Sequence, residues 1–215
     1  MRNRIINFIE KALAQRDNEY FTREQDIQIY LAKYLSDTNE FDRIFVEYHI
    51  HFHMLPLYPW VDSNNIYIDL VVEKNNLFYP IEIKYKTTTQ SLPLNIFGTE
   101  GSVLLGHHGA QNIGCYDFWK DVKRLELFQE RFTNVEQGIM IFVTNDLNYQ
   151  YSPRDVNVGY AQFSIHSNRV VAKNEILNWN GNLSISKNRP AISLSKSYQI
   201  SWHPLPIDQH FYIMV

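Results

Sequence analysis

Tyr67-Ile-Asp-Leu-Val-Val-Glu-Lys-Asn-Asn-Leu-Phe-Tyr-Pro-Ile-Glu-Ile-Lys-Tyr-Lys86 is the stretch from which the fold is read. Two apolar runs flank a polar break. Ile66, Ile68, Leu70 and Val72 share one parity, and Tyr67, Asp69 and Val71 the other. This is the period-2 pattern of a strand with one face on a core. Lys74-Asn-Asn76 is turn-prone, so the chain reverses there. In the next run Tyr79, Ile81, Ile83 and Tyr85 form the apolar parity, with Pro80, Glu82 and Lys84 opposite. Paired as a hairpin, the strands present Asp69, Glu82 and Lys84 on a common face.

Two carboxylates on adjacent strands repel each other unless a cation lies between them. An oxygen-rich set of this kind suits Mg²⁺ or Mn²⁺ rather than Zn²⁺. Lys84 adds a positive charge where a phosphate or an attacking hydroxide can be held. The same residues also suit the wet face of a sheet with an ordinary mix of Lys and Glu. The pattern alone leaves both readings open.

Asp69, a gap of twelve residues, then Glu82-Ile83-Lys84 resembles the PD-(D/E)xK nuclease superfamily, whose signature is an acid, a variable hairpin and Asp/Glu-x-Lys. Ile68 stands where that superfamily has proline before the acid. The resemblance covers about Thr22 to Asn145, in the order helix, strand, Asp strand, Glu-x-Lys strand, helix, strand, and includes uncharacterised prokaryotic members. It implies an α/β, restriction-endonuclease-like core, with a central mixed sheet of four to five strands flanked by helices. It also implies a Mg²⁺- or Mn²⁺-dependent nuclease hydrolysing phosphodiester bonds in DNA. Asp69, Glu82 and the backbone carbonyl of Ile83 then hold the metal. Lys84 orients the attacking water or helps deprotonate it, and Glu24 completes the shell or a second metal.

The flanking segments carry further expectations. Thr22-Arg-Glu-Gln25 reads as a capping box opening a helix to Leu35, with Ile27, Leu31, Tyr34 and Leu35 as its buried stripe and Glu24 on that stripe. An acid in a first turn is also favourable with the helix dipole alone. Arg43 to His53 reads as a strand, with Val46, Tyr48, Ile50 and Phe52 on one face and Glu47, His49, His51 and His53 on the other. Glu47 is an accessory candidate because this strand neighbours the Asp69 strand. The alternating histidines invite zinc, but residues two apart on a strand converge poorly on one tetrahedral ion and a wet face accounts for them better. From Thr87 to Gly109 the sequence reads as long polar loops, where His107 and His108 either touch a phosphate, relay a proton or sit on the surface. A helix from Cys115 to Phe132 packs Phe118, Val122, Leu125, Phe128 and Phe132 on the sheet, with Lys120, Lys123 and Arg124 to one side. The resemblance assigns Asp121 and Arg124 to ordering the site. Gly138 to Thr144 is a continuous apolar strand, suited to the middle of a sheet.

At 215 residues and 45% apolar, the chain suits one domain, 1–215, with a nuclease-like core at about 20–145 and a β-rich C-terminal extension at about 151–215. Tyr198 to His203 and Phe211 to Val215 resemble the closing strands of the same superfamily members. Met1 to Gln15 reads as an amphipathic helix rather than a signal peptide. One cysteine, Cys115, excludes an internal disulfide and fits a reducing cytoplasm; no run approaches membrane-spanning length. Acids exceed bases by three, so nucleic acid has to be met by a local rim, for which Lys74, Lys84, Lys86, Lys120, Lys123 and Arg124 are available. Expected partners are DNA and, in a homodimer, a second copy of the chain. The alternative is an inactive nuclease-fold module that binds nucleic acid or a protein.

Overall fold

The computed structural model describes every residue except 17–19, 56–57, 61–64, 182–183 and 207–208, and the side chain of Phe52, whose expected inward parity falls outside it. Helices α1 (Arg2–Ala14) and α2 (Glu24–Asp37) precede strands β1 (Arg43–His51), β2 (Asn65–Lys74) and β3 (Leu77–Lys86). The hairpin of β4 (Gln90–Ile96) and β5 (Thr99–Leu105), helix α3 (Gln111–Arg131) and strand β6 (Ile139–Thr144) follow. Beyond β6 come the two-residue strands β7 (Val170–Val171), β8 (Ile176–Leu177), β9 (Ile192–Ser193), β10 (Tyr198–Gln199) and β11 (His203–Pro204), then β12 (Phe211–Met214).

The main sheet runs β1-β2-β3-β6-β12-β11, six strands rather than the expected four to five. The C-terminal segment supplies the difference. Apolar β12 pairs antiparallel with β6, and β11 with β12, so β6 acquires neighbours on both sides and is buried throughout. Strands β3 and β6 pair in parallel. Parallel neighbours need a crossover, which α3 provides.

Each face of the sheet carries its own core. Ile5, Ile9 and Leu13 of α1 and Ile27, Leu31 and Leu35 of α2 pack on Leu70, Val72, Ile81, Ile83, Ile141 and Val143. Phe118, Val122, Leu125 and Phe128 of α3 cover the opposite face, together with Phe163, Trp179 and Leu194 of the C-terminal segment. The result is an α/β architecture of three layers. No helix among the described residues is long and apolar enough to cross a membrane.

Asn75 and Asn76 both have left-handed backbones, φ 54° and 59°. That is a type I′ turn, whose twist matches the flanking strands and which Asn tolerates. It fixes Lys74 opposite Leu77 and Leu70 opposite Ile81. Continued by one residue, the register sets Asp69 opposite Glu82.

The strict alternation expected along β2 and β1 breaks at that level. Ile66 and Ile68 join the α3-side core together with Val71, whereas Leu70 and Val72 join the α2-side core. On β1, Phe45 and Tyr48 sit on one side with rings 5.1 Å apart, and Val46 is exposed. The cause is Glu47, which takes a left-handed φ of 51° and drops out of the ladder opposite Asp69. A non-glycine residue in that region costs energy and survives only where its surroundings enforce it.

Three local expectations are corrected. Helix α2 begins at Glu24 with no capping box: the Asp26 carboxylate, not Gln25, reaches back, accepting from the Thr22 N–H at 2.9 Å and hydroxyl at 2.7 Å. Strand β1 stops at His51, where a short 3₁₀ turn takes over. The polar stretch after Lys86 is a β-hairpin, closed by Phe97 and Gly98 at φ 52° and 84°. Its Ser, Thr, Asn and Gly content concealed the strands because little of it is buried.

Candidate active site

The break at Glu47 and Asp69 is the floor of the candidate site. Lost pairing there frees the Asp69 carbonyl, and Gln28 from α2 replaces it. Its Nε2 donates to the Asp69 carbonyl at 2.7 Å and to Glu47 Oε1 at 2.8 Å. Gln28 was not anticipated, although its place one turn after Glu24 put it on the same helix face. Asp69 in turn uses Oδ2 to accept the Ile83 N–H at 2.6 Å, bridging the strands just beyond their last paired residues.

Glu82 lies on the face expected of it, but that face is dry. Its side chain is 1% exposed, beneath α3, so the solvated-strand reading does not hold for this residue. Arg124 donates to Glu82 Oε2 at 2.5 Å and also reaches Asp121 Oδ1 at 3.3 Å. Lys84 Nζ stands 3.2 Å from Asp121 Oδ2, 3.8 Å from Glu24 Oε1 and 3.3 Å from the Ile83 carbonyl. Glu24 is anchored by its other oxygen, which accepts the Tyr85 N–H at 3.1 Å. Asp121 and Arg124 therefore turn inward, not along a solvated helix flank. Tyr58 covers the outer side of Arg124, its ring centre 5.8 Å from the guanidinium carbon. It was missed because no local pattern links position 58 to 124.

The other expected residues are spread around this cluster. Glu47 shares Gln28 with Asp69 and stands at its edge. Lys120 faces Asp117 on its own helix at 3.4 Å. Lys123 faces Glu126 at 3.3 Å, on the side where Glu126 holds the C-terminal segment, so it is not part of the cluster. Lys74 pairs with Asp42 beside the hairpin turn at 2.9 Å. Lys86 lies two residues beyond Lys84. His49 is turned to Asn65 Oδ1 at 2.7 Å while the His51 and His53 rings lie 4.2 Å apart. No group of three or more His, Cys, Asp or Glu among the described residues is arranged as a metal cage, the histidine strand included.

Four carboxylates and two cations thus share a mostly buried volume, and their titration is divided by environment. Burial pushes Glu82 well above the ordinary carboxylate range, with Arg124 opposing and Asp69 adding to the rise. Asp69 and Glu24 are likewise raised, first by burial, with Lys84 opposing in both cases. Asp121 moves the other way: Lys84 and then Arg124 outweigh its burial and hold it low. Lys84 and Arg124 are raised by their acidic neighbours despite burial. Both stay charged, as does Asp121, so Glu82 is where a proton or an added cation goes.

Comparison of the chain with protein-family models, curated proteins and solved structures gave no match. What the site can do therefore rests on its own geometry.

The donors, though not grouped as a cage, are of the chemical kind that a hard divalent cation takes. Oε1 of Glu82 is buried and has no hydrogen-bond partner among the described residues. Leaving such an oxygen unmet costs on the order of 1–3 kcal/mol, more for a charged group. Asp69 keeps one oxygen outside its bond to Ile83, and the Ile83 carbonyl lies beside Lys84. Two carboxylates and a carbonyl are a typical protein share for Mg²⁺, which retains several waters instead of demanding a full cage.

Proposed function

We propose that the chain is a Mg²⁺- or Mn²⁺-dependent phosphodiesterase acting on DNA, with a restriction-endonuclease-like core. The unpaired, buried Glu82 oxygen opposite Asp69, with Lys84 alongside, is the observation that carries this reading. In it Asp69, Glu82 and the Ile83 carbonyl hold the ion, which would polarise the phosphoryl oxygens and acidify a water.

The chain's own residues supply the rest. Lys84 is held protonated by Asp121 and Glu24, so it acts as a fixed positive charge beside the developing oxyanion and not as a base. Glu24, raised by burial and with one oxygen aimed at Lys84, is the group placed to take the proton of the attacking water. Water oxygen attacks phosphorus, the bond to the leaving oxygen breaks, and that oxygen takes a proton from solvent. Asp121 positions Lys84 and Arg124 without touching the phosphate. Incubating the protein with plasmid and linear DNA, with and without Mg²⁺ or Mn²⁺, tests the proposal. Cleavage should vanish in Asp69→Asn and Lys84→Ala, and metal-dependent cutting that survives both would remove it.

A second reading, an inactive module of the same fold, is favoured by one observation. Arg124 already neutralises one Glu82 oxygen from within the chain. Under that reading calorimetry would detect no Asp69-dependent uptake of Mn²⁺.

A further inference from the structure

Two residues beyond Lys84, on the same face of β3, Lys86 opens onto a cavity of about 220 Å³ lined also by Thr87, His107, His108, Gln111 and Asp146. It lies where the parallel strands β3 and β6 end and α3 begins, a crevice of the kind in which α/β sheets take ligands. No hydrogen bond or ion pair occupies the Lys86 ammonium among the described residues. His108 is pinned: its backbone N–H donates to the Thr87 carbonyl at 2.7 Å, and its Nδ1 accepts the Thr87 N–H at 3.0 Å. A ring nitrogen that accepts an N–H carries no proton, so Nε2 carries it and is a donor. The Thr87 hydroxyl is engaged with the Gly106 carbonyl at 2.7 Å. Burial, then Lys86 and His107, lower the affinity of His108 for a second proton, which keeps the ring neutral. The first N–H groups of α3 at Gln111 and Asn112 have no acceptor within the helix. Asp146 is the acid of the lining, and its Oδ1 accepts both N–H groups of Asn148, at 3.0 and 2.8 Å.

We propose that this cavity binds a phosphate group and, on the nuclease reading it rests on, receives the phosphate next to the one cleaved. Two strand residues span about 6.6 Å, which is comparable with the spacing of neighbouring phosphates on one nucleic-acid strand. The lining offers donors from three elements: the Lys86 ammonium, the His108 Nε2–H and the start of α3. With Lys86 and Asp146 cancelling formally, these donors and not excess charge select the anion.

The test uses the full chain, with Ca²⁺ replacing Mg²⁺ so that bound DNA stays intact. Fluorescent single-stranded DNA is titrated at several salt concentrations against the wild type, Lys86→Ala, Lys86→Arg and the exposed control Lys173→Ala. Losing one phosphate contact should flatten the slope of log K against log salt by about 0.7. Lys86→Ala should also weaken binding about tenfold at low salt, Lys86→Arg should restore most of it, and Lys173→Ala should change nothing. In parallel, inorganic phosphate should shift the ring-proton resonances of His107 and His108 in the wild type and leave them unmoved in Lys86→Ala.

An unchanged slope and unmoved ring protons would overturn the proposal, as would failure of the wild type to bind either probe. If the wild type cleaves DNA while Lys86→Ala keeps the wild-type slope, the cavity assignment falls and the nuclease reading stands. If Lys86 governs phosphate binding but no DNA is cut, the cavity stands and the nuclease reading falls. Phosphate binding without DNA binding would make free phosphate or a phosphomonoester the ligand.

Discussion

Replacing Asp69 with Asn removes one carboxylate from a group of four that faces Lys84 and Arg124. Asn keeps the shape and can still accept the Ile83 N–H now held at 2.6 Å. Lys84, and after it Arg124, act on Asp69 more strongly than the like charge of Asp121 does, so its charged neighbours favour the carboxylate. Burial, the largest influence on Asp69, then decides the sign: the neutral side chain is favoured, by about 1 kcal/mol, or roughly 2–4 °C of melting temperature in a chain of this size. The metal-free variant should melt higher than the metal-free wild type. About 10 mM Mg²⁺ acting at a site of about 1 mM affinity should stabilise the wild type by about 1.4 kcal/mol. The variant should lose that response. The pH dependence follows with a definite sign. Asp69, Glu24 and Glu82 are all raised in the folded state, so their contribution is fully present below the ordinary carboxylate range. It is lost as pH climbs through the raised values, and the Mg²⁺ effect grows over the same interval. Scanning calorimetry at several pH values, with and without Mg²⁺, measures all three quantities. A lower melting point for metal-free Asp69→Asn, or an undiminished Mg²⁺ shift in it, would refute the reasoning.

Lys84→Ala should reduce turnover at least a hundredfold while leaving a folded protein by circular dichroism, because Arg124 still neutralises Asp121. Gln28→Leu strands the Asp69 carbonyl and Glu47, which should cost about 1–3 kcal/mol in urea unfolding and lower Mn²⁺ affinity by displacing Asp69. Glu126→Ala deprives the Ser195 and Lys196 N–H groups and the Tyr198 hydroxyl of their acceptor. It should cost about 3–5 kcal/mol and make residues 190–200 the first site cut in limited proteolysis. Asn76→Gly, at φ 59°, should stabilise by about 0.5–1 kcal/mol, read as a higher urea midpoint with no change in turnover.

Much of this molecule follows from local rules. The apolar parity of Tyr79, Ile81, Ile83 and Tyr85 and the turn at Asn75 and Asn76 are short-range consequences of side-chain type. They set Asp69 opposite Glu82 without help from the rest of the fold. The stripes of α1 and α3 are equally local, since helical period and apolar content suffice to choose the buried face. The burial of β6 follows from an unbroken apolar run.

What alternation could not foresee is its own interruption. Whether Ile68 and Leu70 face the same layer depends on Glu47, on a different strand, and on Gln28 meeting the freed carbonyl, and neither leaves a signal in the Asp69 strand itself. Nor could local pattern distinguish a wet sheet face from a buried one. Glu82 is dry only because α3 crosses back over β3 and turns Asp121 and Arg124 inward. The sequence by itself determined which acids and which lysine share a hairpin, because strand register is set by a two-residue turn. The tertiary structure alone decided their protonation, because burial and the arrival of Asp121 and Arg124 from a distant helix fix which carboxylate stays charged and which awaits a proton or a cation.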